Sequence, residues 1–224
     1  MTEPSFIHLR VHTEHSLLEG AIKTAKLVAW AHDQKMPAIG MTDSGNIFGA
    51  MLLAKEASHA GVQPVLGCQL LIKSPVQESH TFRVEDDTYD KVVVFVQNQT
   101  GYQNLLLHFS KYYMGADKQE TPHLTLDELC DKTDGLILLT GGVEGILGRP
   151  ILAGHADFAE DILKRLQQAF PGRTYIEIQR HGLTAEEQTE PTFLDLAYRL
   201  NVPLVATNEA FFMTPDMYEA HDAM

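Results

Sequence analysis

The stretch AIGMTDSGNIFGAMLLAKEASHAGVQPVLGCQLLIK, residues 38–73, decides the fold class. Two runs of strand-forming residues, 38–42 and 65–72, flank a segment, 47–60, whose apolar residues recur three and four apart, as on the buried face of a surface helix. Gly61 follows that segment as a C′ residue, where a left-handed conformation ends a helix. Strand, helix and strand in this order predict two parallel strands joined by a crossover. Working outward, the alternation continues. Strand-like runs at 6–12, 91–96, 135–140, 174–178 and 203–206 bring the candidate strands to seven. Helical spacing recurs at 21–32, 101–113, 157–170 and 192–200, and Thr125 with Glu128 opens a short helix as a capping box. Such regular alternation predicts an α/β fold with parallel strands, either a barrel or a doubly wound sheet. Residues 74–90, SPVQESHTFRVEDDTYD, are polar and acidic and predict an exposed excursion. The end, TPDMYEAHDAM (214–224), starts as a capped helix at Thr214 and Pro215 and stops without a C-terminal glycine, the pattern expected of truncation inside a helix.

A chain of 224 residues that is 44% hydrophobic can bury a substantial core, so one domain over residues 1–224 is expected. The apolar runs at 92–96 and 135–142 fall far short of the roughly 20 residues that span a bilayer. The N-terminus lacks a basic stretch followed by an apolar one, and Cys68 and Cys130 lie in apolar surroundings. A cytoplasmic protein with reduced, buried thiols and no membrane partner is expected. Seventeen basic against thirty acidic residues give a formal charge of −13, which repels polyanions. Tight binding of DNA by this chain alone is not expected.

In βα-repeat folds the functional side chains gather at the C-terminal ends of the strands. His8, Arg10 and His12 lie two apart and share one face of the first candidate strand, with His12 nearest the mouth. Asp43 and Ser44 follow the second, Gln69 falls late in the third and Lys91 starts the fourth. Gly142 follows the fifth strand, His181 the sixth, and Glu209 and Phe211 the seventh. Imidazoles and carboxylates converging at such a mouth are the raw material of a multinuclear site for phosphoester hydrolysis.

Six motifs make the pattern specific: HLRVHTEHSLLEG (8–20), IGMTDSGNIFGA (39–50), TGYQNLLLHFSKYY (100–113), GLILLTGG (135–142), YIEIQRHG (175–182) and LVATNEAFF (204–212). In this order they resemble the polymerase and histidinol phosphatase (PHP) domain in the form found at the N-terminus of bacterial DNA polymerase III alpha subunits. The resemblance covers essentially the whole chain. It implies a seven-stranded (βα) barrel, a distorted TIM-like fold, preceding polymerase domains that this sequence lacks. In metal-binding members the first motif is H-x-H, where this chain has Arg10 and His12. The second ends in Asp-His, here Asp43 and Ser44. A glutamate, a histidine, and a cysteine or histidine are expected where Gln69, Lys91 and Gly142 stand. His181 matches, and the last motif, Asp-x-His, reads Glu209 and Phe211.

His12, Asp43, His181 and Glu209 therefore persist, while Arg10, Ser44, Gln69, Lys91, Gly142 and Phe211 erode the ligand set. Arg10 and Lys91 are donors, and Gly142 and Phe211 offer no ligand. A vestigial site is expected, with no metal, cofactor or catalytic residue in this domain and with Arg10 pairing with Asp43, Glu209 or both. The resemblance implies a structural and protein-interaction module that docks the remaining polymerase domains or a proofreading exonuclease subunit. Nucleotidyl transfer with magnesium, and contact with DNA, would belong to the longer chain. The alternative is an active metal-dependent phosphoesterase or 3′ to 5′ exonuclease using His12, Asp43, His181 and Glu209. A free-standing phosphatase fits least, because TGYQNL is a polymerase motif.

Overall fold

A computed structural model describes residues 6–75, 89–115 and 120–223. In chain order the elements are α1 (Thr24–Asp33), β1 (Ala38–Ser44), α2 (Ala50–Ala60), β2 (Gln63–Lys73), β3 (Tyr89–Val96), α3 (Gln99–Met114), α4 (Leu126–Leu129), β4 (Leu136–Leu139), α5 (Gly148–Leu152), α6 (Ala156–Ala169), β5 (Thr174–Ile178), α7 (Thr184–Leu200), β6 (Leu204–Ala206) and α8 (Tyr218–Asp222). The strands hydrogen-bond in that same order, β1 to β6. By packing, the chain forms two compact units: Met1–Gln69 with Thr207–Met224, and Leu70–Ala206. The single domain expected from length thus has internal structure, and its first unit is discontinuous in sequence.

In the first unit β1 and β2 run parallel, from Ala38 opposite Gln63 to Ser44 opposite Gln69. Gly61 ends α2 at φ 70°, a left-handed conformation that a side chain would strain. Ile39 and Met41 of β1 pack with Leu27, Val28 and Ala31 of α1 and with Leu53 and Ala57 of α2, all buried. Residues 6–12 correct the sequence reading, because they form no regular strand. His8 and Val11 carbonyls accept from Gly40 N (2.8 Å) and Thr42 N (2.8 Å), while His12 N donates to Ala210 O (2.9 Å) and Ala210 N to Arg10 O (3.3 Å). Val11 N instead donates to the Thr42 hydroxyl at 3.1 Å, which interrupts the ladder on the β1 side and leaves an isolated bridge between Val11 and Ala210. Six strands, not seven, are regular among the described residues.

The second unit corrects the expectation of uniformly parallel strands. β4 and β5 pair parallel, as do β5 and β6, but β3 pairs antiparallel with β4, from Val93 opposite Leu139 to Val96 opposite Leu136. Two helices, α3 and α4, lie between β3 and β4, and hydrophobic periodicity carries no information on strand direction. Val92, Val94, Leu136, Leu138 and Ile176 of the strands are buried, together with Leu105, Leu163, Leu166 and Phe193 of the helices. Thr125 and Glu128 make the expected capping box of α4. Helix α7 begins eight residues before the predicted 192, because Pro191 lies inside it instead of ahead of it. Of the predicted excursion, residues 76–88 lie outside the described residues, and Asp90 is not exposed. It is the second residue of β3, is buried and pairs with Arg149 at 3.2 Å.

Both cysteines are free. Burial pushes the Cys68 thiol well above its usual range, whereas Cys130 is only partly buried. No helix among the described residues is long and apolar enough to cross a membrane.

Candidate functional site

The extended segment through residue 12, the C-terminal end of β1, the middle of β2 and the segment after residue 207 bring a polar cluster together inside the first unit. Arg10, His12 and Asp43 are fully buried there. Arg10 and His12 share one face, and the Ala210 hydrogen bonds hold Glu209 beside them, whereas His8, expected on that face too, lies against Trp30 and Val11 on the apolar side because residues 6–12 are not a regular strand. The Arg10 Nη2 group donates to Gln69 Oε1 and, at 2.9 Å, to Glu209 Oε1. The same Glu209 oxygen lies 3.1 Å from His12 Nε2. The His12 ring stacks on Phe211, with centroids 4.4 Å apart and planes 13° from parallel. Its Nδ1 faces the hydroxyls of Ser16 (3.2 Å) and Ser44 (3.4 Å).

Asp43 is satisfied by other partners. Thr13 N at 2.6 Å, the Thr13 hydroxyl at 2.8 Å and the Ser16 hydroxyl at 2.7 Å all donate to its carboxylate. The expected pairing of Arg10 therefore holds for Glu209 and fails for Asp43. Gln69, standing where a glutamate was expected, supplies a neutral carbonyl, so the guanidinium bridges one carboxylate and one amide. Ser44 donates to Glu19, and Gln69 Nε2 approaches the Ser44 hydroxyl at 3.4 Å. Sequence reading passed over Thr13, Ser16 and Glu19, although all three lie in HLRVHTEHSLLEG. The available signal was two hydroxyls in the polar turn just after His12.

The remaining predicted positions belong to the second unit, where each has a local partner. Lys91 pairs with Glu144. Gly142 has φ 63°, and a Cβ there would fall 2.6 Å from Gln179 Oε1, so no ligand-bearing side chain fits without movement. His181 Nδ1 lies 2.7 Å from Glu186 Oε1, while the backbone N–H groups of His181 (2.7 Å) and Leu183 (3.2 Å) donate to Glu186 Oε2. Burial alone would raise the Glu186 carboxyl, but these hydrogen bonds outweigh it and hold the group below its usual range.

A divalent cation needs several lone pairs aimed at one point. In the first unit the Asp43 oxygens are committed to three donors, and a guanidinium lies against Glu209. The residues present do not fit a metal. Among the described residues no three His, Cys, Asp or Glu side chains are grouped to hold one.

The profile of the PHP domain family matches residues 8–181. The chain is 37% identical over 219 residues to DNA polymerase III subunit alpha of Caulobacter vibrioides, covering 98% of this chain and 19% of that protein. It is 33% identical over 222 residues to the Escherichia coli K12 protein of the same name, covering 99% and 18%. The chain thus spans about a fifth of the length of these relatives. A Bifidobacterium adolescentis protein described as a metal-dependent phosphoesterase shares the fold, with a TM-score of 0.57 and 13% identity over 95% of this chain and 91% of that one.

Proposed function

Since the chain belongs to the PHP domain family and is homologous to the N-terminal region of DNA polymerase III alpha subunits, we propose that it serves a replicative polymerase in the cytoplasm as a structural and protein-interaction module with a vestigial metal site. One observation carries this reading: a buried guanidinium joins Gln69 to Glu209 inside the polar cluster. Its fixed charge neutralises Glu209 without a metal and ties three chain segments together. Its partners would be the remaining domains of a longer chain and a proofreading exonuclease subunit. Nucleotidyl transfer with magnesium would belong to those other domains. The segment at residues 6–12, hydrogen-bonded towards both β1 and Ala210, would take the seventh place in a distorted barrel.

Elemental analysis and nuclease and phosphatase assays on the purified chain test the proposal. The expected outcome is no stoichiometric divalent metal, no hydrolysis of DNA or phosphomonoesters, and weak DNA binding at physiological salt. Arg10→His alone should not bring metal binding, because Asp43 stays committed to Thr13 and Ser16. A metal-dependent activity lost on His12→Ala or Asp43→Ala would overturn the vestigial reading in favour of an active phosphoesterase.

A further inference from the structure

A second feature of the first unit lies apart from the polar cluster. A cavity of about 110 Å³ is lined by His8, Val11, Leu27, Trp30, Phe212 and Met213, among others. It is smaller than the roughly 150 Å³ of an enclosed apolar cavity that accepts benzene, but it opens to solvent on one side, so a single ring can enter with its edge exposed and two cannot. No charged side chain lines it, so a charged ligand would lose its hydration uncompensated. The His8 ring meets Trp30 edge-on, with centroids 5.4 Å apart and planes at 61°. Among the described residues neither the His8 ring nitrogens nor the Trp30 indole N–H makes a hydrogen bond. Burial lowers the His8 pKa, which keeps the ring neutral and leaves one of its nitrogens an acceptor. Apolar walls with one or two polar atoms at the rim are how small-molecule sites orient their ligands.

The geometry points to a binding site for a small, uncharged aromatic alcohol of the phenol class. The ring fills the space between Trp30 and Phe212, and the hydroxyl donates to His8. This site is independent of the proposed replicative role and of the polar cluster.

Trp30 is the only tryptophan, so its emission, excited where phenol does not absorb, reports directly on the cavity. Titrating the 224-residue chain with phenol should give a saturable change. His8→Phe keeps the ring and removes its nitrogens, so it should weaken phenol roughly tenfold and leave toluene within about twofold, as loss of one hydrogen bond implies. Should that variant not fold, the fluorine resonance of 4-fluorophenol with the unaltered protein gives a second readout. Phenol should reverse its shift and benzoate should not. No saturable signal with phenol, an equal effect of His8→Phe on phenol and toluene, or displacement by benzoate as effective as by phenol would each overturn the assignment.

Discussion

The two units treat the positions that the family resemblance singles out in opposite ways. In the first, Arg10, His12, Asp43 and Glu209 form a closed hydrogen-bonded network in which three of the four side chains are fully buried. In the second, Lys91 and His181 are tied to single neighbours, Glu144 and Glu186, and His181 stays 39% exposed. A buried polar group has to be satisfied by its surroundings, whereas an exposed one can rely on water. Burial therefore demands protein partners for these side chains only in the first unit. The proposed structural joint lies there, while in the second unit Lys91 and His181 are partly exposed and held by local partners.

Arg10→Ala is the hardest test of that contrast. It leaves Glu209 and Gln69 without their donor in a buried setting, and about 3–5 kcal/mol of stability should be lost in urea denaturation. A loss below about 1 kcal/mol would mean that the network is not a joint. Asp43→Ala should cost about 2–3 kcal/mol in the same measurement, since the Thr13 N–H and the Thr13 and Ser16 hydroxyls lose their acceptor. A cost as small as that of an exposed carboxylate would break the comparison from the other side.

Effects in the second unit should be smaller. Glu186→Gln should cost about 1 kcal/mol at neutral pH. Because the folded Glu186 carboxyl titrates below its unfolded value of about 4.3, its contribution is present above that pH and is lost as pH falls through the folded value. Stability curves of the protein and the variant, measured against pH, should therefore converge only on the acid side of the usual carboxylate range, once the folded Glu186 is protonated. A gap that widens towards acid would reverse the sign and remove Glu186 from its proposed role. Lys91→Ala should change stability by less than about 1 kcal/mol, with the difference shrinking further in high salt. A salt-insensitive loss of several kcal/mol would show that Lys91 belongs to a buried network after all.

Much of this was readable from residue order. The crossover from β1 through α2 to β2 followed from periodicity and Gly61, and the α4 capping box from Thr125 and Glu128, because these signals are local. The expectation of an eroded ligand set came from the family resemblance, which names the positions, together with residue chemistry, since neither an arginine nor a glycine side chain normally coordinates a divalent ion. Strand direction between β3 and β4 was not readable, because the same alternating pattern serves either direction. Nor was the irregularity at residues 6–12, which depends on a hydroxyl from β1, Thr42, capturing the Val11 amide.

The sequence by itself determined the α/β class and the family, and it put Arg10, Ser44, Gln69, Lys91, Gly142 and Phe211 where the family resemblance implies metal ligands. Only the tertiary structure decided which carboxylate Arg10 would take. Thr13 and Ser16 had already filled Asp43, and Glu209, brought in by the distant C-terminal segment, was the acceptor within hydrogen-bonding reach. Competition among donors for a buried acceptor is settled by distances across the fold, and residue spacing along a chain does not contain them.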